Sequence, residues 1–322
     1  VYLGGRFDSE EIVALQLNAD FPLQVGIPID ADLTLRLGKR IMARGEMTLH
    51  PRSFTRRSLS YTFRHNDLDV YHEGGRIHSF IYNQHRCALT PINFNLRNFN
   101  LQAGLYWDYL HFLDNTLTTG SHPINLENDH YFNFHVQLNY NSENQWYFPT
   151  HGSRLKVEYA YITDNFTQLD DKAGLSEVNA NWRFSIPLSK RFTLRPMVYG
   201  RCLWGAKIPV IYGNSIGGEW FGHYLEQQMP FAGIGNMEFT DRHFMALQLE
   251  AQQNIANSHF ILLRLAAAQH AEEFKHTFKQ QTLLGYQLGY YYNTLLGPLG
   301  ATIGYSNKTK EVNFYINLGF EF

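Results

Sequence analysis

The fold is decided by the last stretch of the chain, E-V-N-F-Y-I-N-L-G-F-E-F at residues 311–322. Side chains alternate between the two faces of a β-strand, so apolar and polar residues separate along this stretch. One face carries Val312, Phe314, Ile316, Leu318, Phe320 and Phe322. A strand with an apolar face, a polar face and a terminal aromatic residue is typical of the closing strand of an outer-membrane β-barrel. A soluble β-protein shows the same alternation but rarely ends on an exposed aromatic side chain.

Composition agrees with a membrane barrel. Of the 322 residues, 15% are aromatic and only 17% are charged. Mean hydropathy is nevertheless -0.33, as expected when half of each strand faces lipid and half faces water. The longest apolar runs fall short of the ~20 residues that a membrane helix needs, so no helical span is predicted. A net charge of -2 argues against a nucleic-acid partner.

The start of the chain and its two cysteines lead to further expectations. Val1 leads directly into a strand-like segment without a signal peptide, so we expect a mature product or a piece of a longer protein. Cys87 and Cys202 fall on strands predicted to lie far apart, and both are predicted to be unpaired. Their spacing fits no metal site, and no cofactor motif occurs, so neither a metal nor a cofactor is predicted.

Alternating segments separated by turn signals repeat along the whole chain. Counting them predicts an all-β fold, a single 16-stranded antiparallel transmembrane β-barrel over residues 1–322 that is closed by a strand at 311–322. An even number of strands places both termini on one side, which we expect to be the periplasm. Short turns are predicted on that side. Long extracellular loops are predicted at 111–129, 163–174, 205–239 and 271–282.

Charged residues occur at positions predicted to face the lumen. A charge on the lipid face would cost about 2–4 kcal/mol near the midplane, which favours the inward assignment. Two interpretations stay open, a wall of ion pairs and hydrogen bonds or a ring that selects permeating ions. The predicted lumenal charges are Arg36, Arg44, Glu46, Lys156, Glu158, Arg183, Glu250 and Arg264, together with Arg64, Arg195 and Arg201.

Three segments carry a family resemblance. Residues 146–155 read W-Y-F-P-T-H-G-S-R-L, residues 214–218 and 227–233 read N-S-I-G-G and Q-Q-M-P-F-A-G, and residues 2–8 read Y-L-G-G-R-F-D. In this order they resemble the BamA/TamA-type superfamily of outer-membrane barrels. They are most similar to the C-terminal barrel of patatin-like phospholipases of Gram-negative bacteria. The resemblance extends over essentially the whole chain.

The resemblance implies that the sixth extracellular loop, at about 205–239, folds back into the lumen and packs against inward strand residues. In the superfamily this loop carries V-R-G-[FY], whose Arg pairs with inward acidic residues. Here the corresponding residues are Phe221-Gly222-His223-Tyr224, so a loop fastened by that Arg is not expected. The glycines fit either positive φ or a functional role. The candidate loop residues are Gly217, Gly218, Phe221, Gly222, His223, Tyr224, Gln227, Pro230 and Phe231.

The resemblance also implies an assembly signal at the carboxyl terminus. In that family the closing strand is recognised by the barrel-assembly machinery, and the matching residues are Phe314, Ile316, Leu318, Phe320 and Phe322.

Two motifs suggest enzymes but lack the required context. Residues 213–217, G-N-S-I-G, match the G-x-S-x-G nucleophile elbow, yet no helix is predicted after Ser215. The catalytic Asp of patatins precedes a Gly, and no Asp does so here. His270 and His276 flank two glutamates, but the spacing is not H-E-x-x-H. We therefore predict that the barrel itself has no catalytic residue, although its parent protein would be a phospholipase if a patatin domain is attached.

Several functions stay open at this point. The favoured one is a barrel in the bacterial outer membrane that anchors, and translocates or gates, an attached amino-terminal domain. The resemblance implies a patatin-like phospholipase for that domain. The alternatives are a passive or substrate-specific channel, an outer-membrane protein assembly or translocation factor, and an enzyme within the barrel wall. Expected partners are outer-membrane lipid and lipopolysaccharide, the barrel-assembly machinery during biogenesis, and a periplasmic or fused amino-terminal domain.

Overall fold

A computed structural model of the chain describes residues 1–51, 55–117, 126–221 and 225–321. The predicted fold is confirmed: 16 antiparallel strands close into a barrel. Within these ranges no helix is long and apolar enough to cross a membrane. The strands are β1 (Tyr2–Asp8), β2 (Ile12–Val25), β3 (Ile27–Leu37), β4 (Ile41–Leu49), β5 (Thr55–His72), β6 (Gly75–Leu96), β7 (Phe99–Leu117), β8 (Asp129–Asn141), β9 (Gly152–Thr163), β10 (Leu175–Pro187), β11 (Phe192–Trp204), β12 (His243–Ala256), β13 (His259–Ala271), β14 (Leu283–Thr294), β15 (Gly297–Ser306) and β16 (Val312–Gly319).

The closing strand has the predicted alternation but a different end. Phe314 is 67% exposed on the outside, whereas Tyr315 and Asn317 are buried inside. The strand ends at Gly319 rather than at residue 322. Gly319 has φ +119°, and a Cβ there would lie 2.2 Å from the Gly5 carbonyl oxygen. The Phe320 N–H still donates to that carbonyl over 3.3 Å. Phe322 lies outside the described residues.

Some predicted loops are shorter or longer than the alternation indicates. The loop predicted at 111–129 has fewer residues than expected, because β7 continues to Leu117. Alternation weakens where both faces of a strand meet water, so such an extension escapes a pattern search. The sixth loop runs to residue 242 rather than 239, since β12 begins at His243, which pairs with Cys202 of β11. Cys87 and Cys202 are both free thiols.

The two ends of the barrel differ. One, here called the long-loop end, carries the connections 164–174, 205–242 and 272–282. The other, the short-turn end, carries both chain termini and connections such as 257–258. One connection at this end contradicts the short-turn expectation: residues 142–151, between β8 and β9, form a long segment. Its side chains enter the lumen, where Phe148 is buried.

The apolar core lies inside the barrel. Inward wall residues and sixth-loop residues form one buried cluster, which includes Tyr199 and Phe244 of the wall with Ile216 and Phe231 of the loop. A second cluster joins inward residues of β5, β6 and β7 to Tyr212 and Leu225 of the same loop. A loop that packs as a core therefore occupies part of the lumen.

The barrel closes at a short ladder between β1 and β16, here called the seam. Only three residue pairs match across it, whereas seven match between β1 and β2. Ser9 extends the contact past the strand: its N–H donates to the Ile316 carbonyl over 3.0 Å. Its hydroxyl accepts from the Ile316 N–H over 2.8 Å. Behind the seam, the buried Arg6 pairs with Asp8 and Glu11. The Ser9 hydroxyl thus adds one hydrogen bond to the short ladder of the seam.

We expect Ser9→Ala to loosen the seam at Ile316. A net hydrogen bond contributes about 0.5–1.5 kcal/mol, so deuterium exchange at the Ile316 amide should accelerate roughly two- to tenfold. Hydrogen-exchange mass spectrometry of the barrel in lipid measures this. The matched control is Ser189→Ala, whose hydroxyl accepts from the Phe192 N–H over 3.1 Å in a distant turn. Equal exchange at Ile316 in wild type and Ser9→Ala would contradict the assignment.

Candidate functional site: the sixth loop in the barrel lumen

The sixth loop, residues 205–242, enters the lumen as a folded unit. It contains a 3-10 turn at Val210–Tyr212 and three short strands at Ser215–Ile216, Gln228–Met229 and Glu238–Phe239. The first of these pairs with both others. Hydrogen bonding within the loop satisfies backbone groups that would otherwise be buried without partners.

Two of the candidate glycines are required by local geometry. Gly217 has φ +110°, and a Cβ there would lie 2.1 Å from the Asn236 carbonyl oxygen. Gly218 has φ +78° and lies against the Gln228 amide. Positive φ and close approach both favour glycine, which accounts for the two residues without a further role. Gly222, His223 and Tyr224 lie outside the described residues.

Glu219 makes the first charged attachment of the loop to the wall. Its Oε2 accepts from Arg264 Nη1 of β13 over 2.9 Å, and its Oε1 accepts from the Thr302 hydroxyl over 3.0 Å. Arg264 also donates to Glu250 of β12, which in turn pairs with Arg195 of β11. All four charged side chains are nearly buried. The loop thus completes an alternating row of charges that crosses three strands.

Glu226 makes the second attachment. Its carboxylate accepts from Arg86 of β6 over 2.8 Å and from Arg64 of β5 over 3.1 Å. Arg86 is itself held by Asp108 in a bidentate pair and lies 3.9 Å above the Tyr106 ring. Burial would raise the pKa of Glu226, but the two guanidinium groups hold it well below its usual range. The carboxylate therefore stays charged, and its 54% exposure within the lumen favours the same state.

Arg201 fixes the stem of the loop. Its guanidinium forms a bidentate pair with Glu177 of β10 and donates to the Tyr212 carbonyl over 2.9 Å and to Asn214 Oδ1 over 2.8 Å. The Asn214 amide donates to the carbonyls of Asp241 and Arg242 over 2.9 Å each. Both ends of the loop are therefore joined to one buried arginine.

The polarity of the attachment is the reverse of what the resemblance implies. The superfamily pattern has an Arg on the loop and acids on the wall, whereas here Glu219 and Glu226 on the loop meet arginines on the wall. Neither Glu219 nor Glu226 belongs to a motif that predicts this attachment. A search for any loop charge facing predicted wall charges of opposite sign would have found them.

The predicted lumenal charges form ion pairs. Glu250 and Arg264 belong to the buried row, and Arg36 pairs with Glu11 of the β1–β2 turn over 2.5 Å. The nearest partner of Arg183 is Glu143 from the 142–151 segment, not a wall residue. The other pairs are Arg44–Glu46 and Lys156–Glu158. Many of these side chains surround a cavity of about 440 Å³ between the loop and the wall.

The remaining loop candidates contribute packing. The Pro230 carbonyl accepts from the Tyr199 hydroxyl over 2.8 Å, and Phe231 meets Phe244 edge to face. The Gln227 carbonyl lies 3.5 Å from the Ser215 hydroxyl.

Ser215 lies in a two-residue strand rather than at a strand-to-helix turn. His270 pairs with Asp241 over 2.7 Å, and the described residues contain no group of three or more metal-ligating side chains.

Comparison with known proteins adds to this geometry. A family model described as the OMP85 superfamily matches residues 91–322, well over half of the chain. The chain belongs to the OMP85 superfamily. No curated protein matches it in sequence.

Solved structures with the same fold include outer-membrane proteins of three bacteria. BamA from Haemophilus ducreyi lacking POTRA domains 1-3 has a TM-score of 0.75 and 14% identity, with 99% of this chain and 69% of that chain covered. CdiB from Acinetobacter baumannii has a TM-score of 0.57 at 14% identity, covering 99% and 59%. CdiB from Escherichia coli has a TM-score of 0.62 at 14% identity, covering 99% and 63%. This chain is therefore an OMP85-type barrel of the bacterial outer membrane, and it is shorter than all three relatives.

The two loop glutamates should differ in their effect on stability. Glu219→Ala leaves the buried Thr302 and Gln287 without this acceptor, although Arg264 keeps Glu250, so we expect a loss of about 1–3 kcal/mol. Glu226→Ala should cost only about 0.2–1 kcal/mol, because exposed pairs contribute little and Arg86 keeps Asp108. Urea unfolding of the barrel in lipid vesicles measures both. An equal or larger loss in Glu226→Ala would refute this ranking.

Glu10, in the β1–β2 turn, should make stability depend on pH. Burial raises its pKa from 4.5 to about 8, with Asp8 and Glu219 adding to the increase and Arg40 and Arg6 opposing it. Between these values the folded protein binds more protons than the unfolded chain. The free energy of unfolding should therefore fall as pH rises from 4.5 to about 8 and level off above that. Glu10→Gln should lack this fall, and identical pH profiles for both proteins would exclude the effect.

Proposed function

We propose that this barrel anchors an amino-terminal domain in the outer membrane and gates the passage of polypeptide through the lumen or the seam. The observation that carries the proposal is the seated sixth loop. Two charged attachments and a buried apolar cluster hold it across the lumen. A lumen filled in this way suits a regulated gate, whereas a steady channel needs an open path.

The position of the chain termini supports an attached domain. Both termini lie at the short-turn end, so a domain joined before Val1 would extend from that end. We propose that this end faces the periplasm. The three solved relatives have additional chain, since this chain spans 59–69% of their lengths. A patatin-like phospholipase is our candidate for the attached domain, on the resemblance of residues 2–8 and 146–155.

The seam supports a second candidate function, assembly or translocation of other outer-membrane proteins. A ladder of three residue pairs is the easiest place to open this barrel, because backbone pairing holds sheets together. A disulfide between Phe7→Cys and Leu318→Cys, which face each other across the seam, would test whether opening is required. Full activity with the seam locked would exclude this candidate.

The first experiment is the intact mass of the protein purified from its native outer membrane. We expect a mass tens of kilodaltons above the 37.4 kDa of this chain, because an attached domain must be covalently present. Phospholipase activity of that species would then identify the domain as patatin-like. A mass of 37.4 kDa would overturn the fused-domain proposal and leave the assembly factor. Steady conductance of the native protein in planar bilayers would instead favour the channel.

A further inference from the structure

The connection between β8 and β9 enters the lumen at the short-turn end. It leaves the wall at β8, yet the ring of Phe148 stacks on Phe260 of β13 with centroids 4.3 Å apart and planes 11° apart. Tyr291 of β14 packs on the same ring at 5.5 Å. Gln252 of β12 donates to the Phe148 carbonyl over 3.2 Å. Residues 142–151 therefore leave the wall between β8 and β9 and pack, inside the lumen, on β12, β13 and β14.

The same segment is also fixed where it leaves the wall. Arg183 of β10 donates to both carboxylate oxygens of Glu143, over 2.9 and 2.6 Å. Asn144 Oδ1 accepts from the Thr150 N–H over 3.0 Å and closes a small internal turn. Gly152 has φ +107°, and a Cβ there would lie 2.2 Å from the Ser142 carbonyl oxygen. This geometry accounts for the glycine in the stretch F-P-T-H-G at residues 148–152.

Tyr147 joins this segment to two other parts of the protein. Its hydroxyl oxygen accepts from the N–H of Glu321, just beyond the closing strand, over 2.8 Å. Its ring lies 6.2 Å from the ring of Phe221 in the sixth loop. One side chain thus touches the loop that fills the lumen and the chain end that follows the seam.

We propose that residues 142–151 form a second plug, the inner clasp, which closes the lumen from the short-turn end. Tyr147 is its positioning residue, because it holds the sixth loop near Phe221 and the chain at Glu321 in one arrangement. The two plugs enter from opposite ends and meet at this side chain. Release of the sixth loop alone therefore leaves the lumen closed, and full opening requires the inner clasp to move as well.

Conductance in planar bilayers tests the plug. In a Glu219→Ala background, which removes one attachment of the sixth loop, Phe148→Ala removes the ring that stacks on Phe260 and Tyr291, and we expect at least about a tenfold rise in open probability over Glu219→Ala alone. The matched control is Phe166→Ala. Phe166 also has positive φ and stacks on a wall phenylalanine, at 4.0 Å from Phe132, but its side chain is 54% exposed. A Glu219→Ala, Phe148→Ala barrel that migrates as folded and conducts no more than Glu219→Ala would overturn the proposal, as would an equal rise from Phe166→Ala in the same background.

Hydrogen exchange tests the coupling separately and requires no client protein or attached domain. Tyr147→Phe removes only the acceptor for Glu321, so exchange should accelerate several-fold at that amide and stay unchanged in the sixth loop. Tyr147→Ala also removes the contact with Phe221, so exchange should accelerate in peptides covering residues 214–221 as well. If Tyr147→Ala alters exchange only within 142–151, the inner clasp does not position the loop or the chain end, and the proposal fails.

Discussion

A barrel of 16 strands is too wide for its own inward side chains to fill, and the rest of the structure depends on this constraint. Eight strands enclose a space that inward side chains can occupy, whereas wider barrels leave a channel or need a plug. Here a 38-residue loop, 205–242, enters the lumen and provides the missing core. Its glutamates pair with wall arginines, and its apolar side chains pack against inward wall residues. Its short strands pair with one another. The wall and the loop therefore share a buried core.

Much of the architecture could be predicted from the sequence, because strand alternation is a local property. The closing strand shows why: Phe314 and Tyr315 differ in exposure as adjacent residues of one strand must. The sites where prediction failed are those that depend on distant partners. Nothing near Glu219 in sequence indicates that it meets Arg264, because an ion pair requires only opposite charges and either residue can lie on the loop.

The 142–151 segment was missed for a different reason. Its apolar residues Trp146, Tyr147 and Phe148 look like the beginning of a strand, and the motif that they form marks the entrance to β9 correctly. Only the fold shows that Phe148 turns inward with positive φ, because its stacking partners come from β13 and β14, more than 100 residues later. Local pattern predicts the wall, and long-range contacts determine what fills it.

The reversed polarity of the loop attachment limits how this barrel can exchange parts with its relatives. A sixth loop of the V-R-G-[FY] type, grafted here, would place its arginine in a lumen already lined by Arg64, Arg86 and Arg264. Like charges at close range repel, and a buried guanidinium without a carboxylate is costly. The loop and the facing wall are therefore complementary in charge, and one can be exchanged only together with the other.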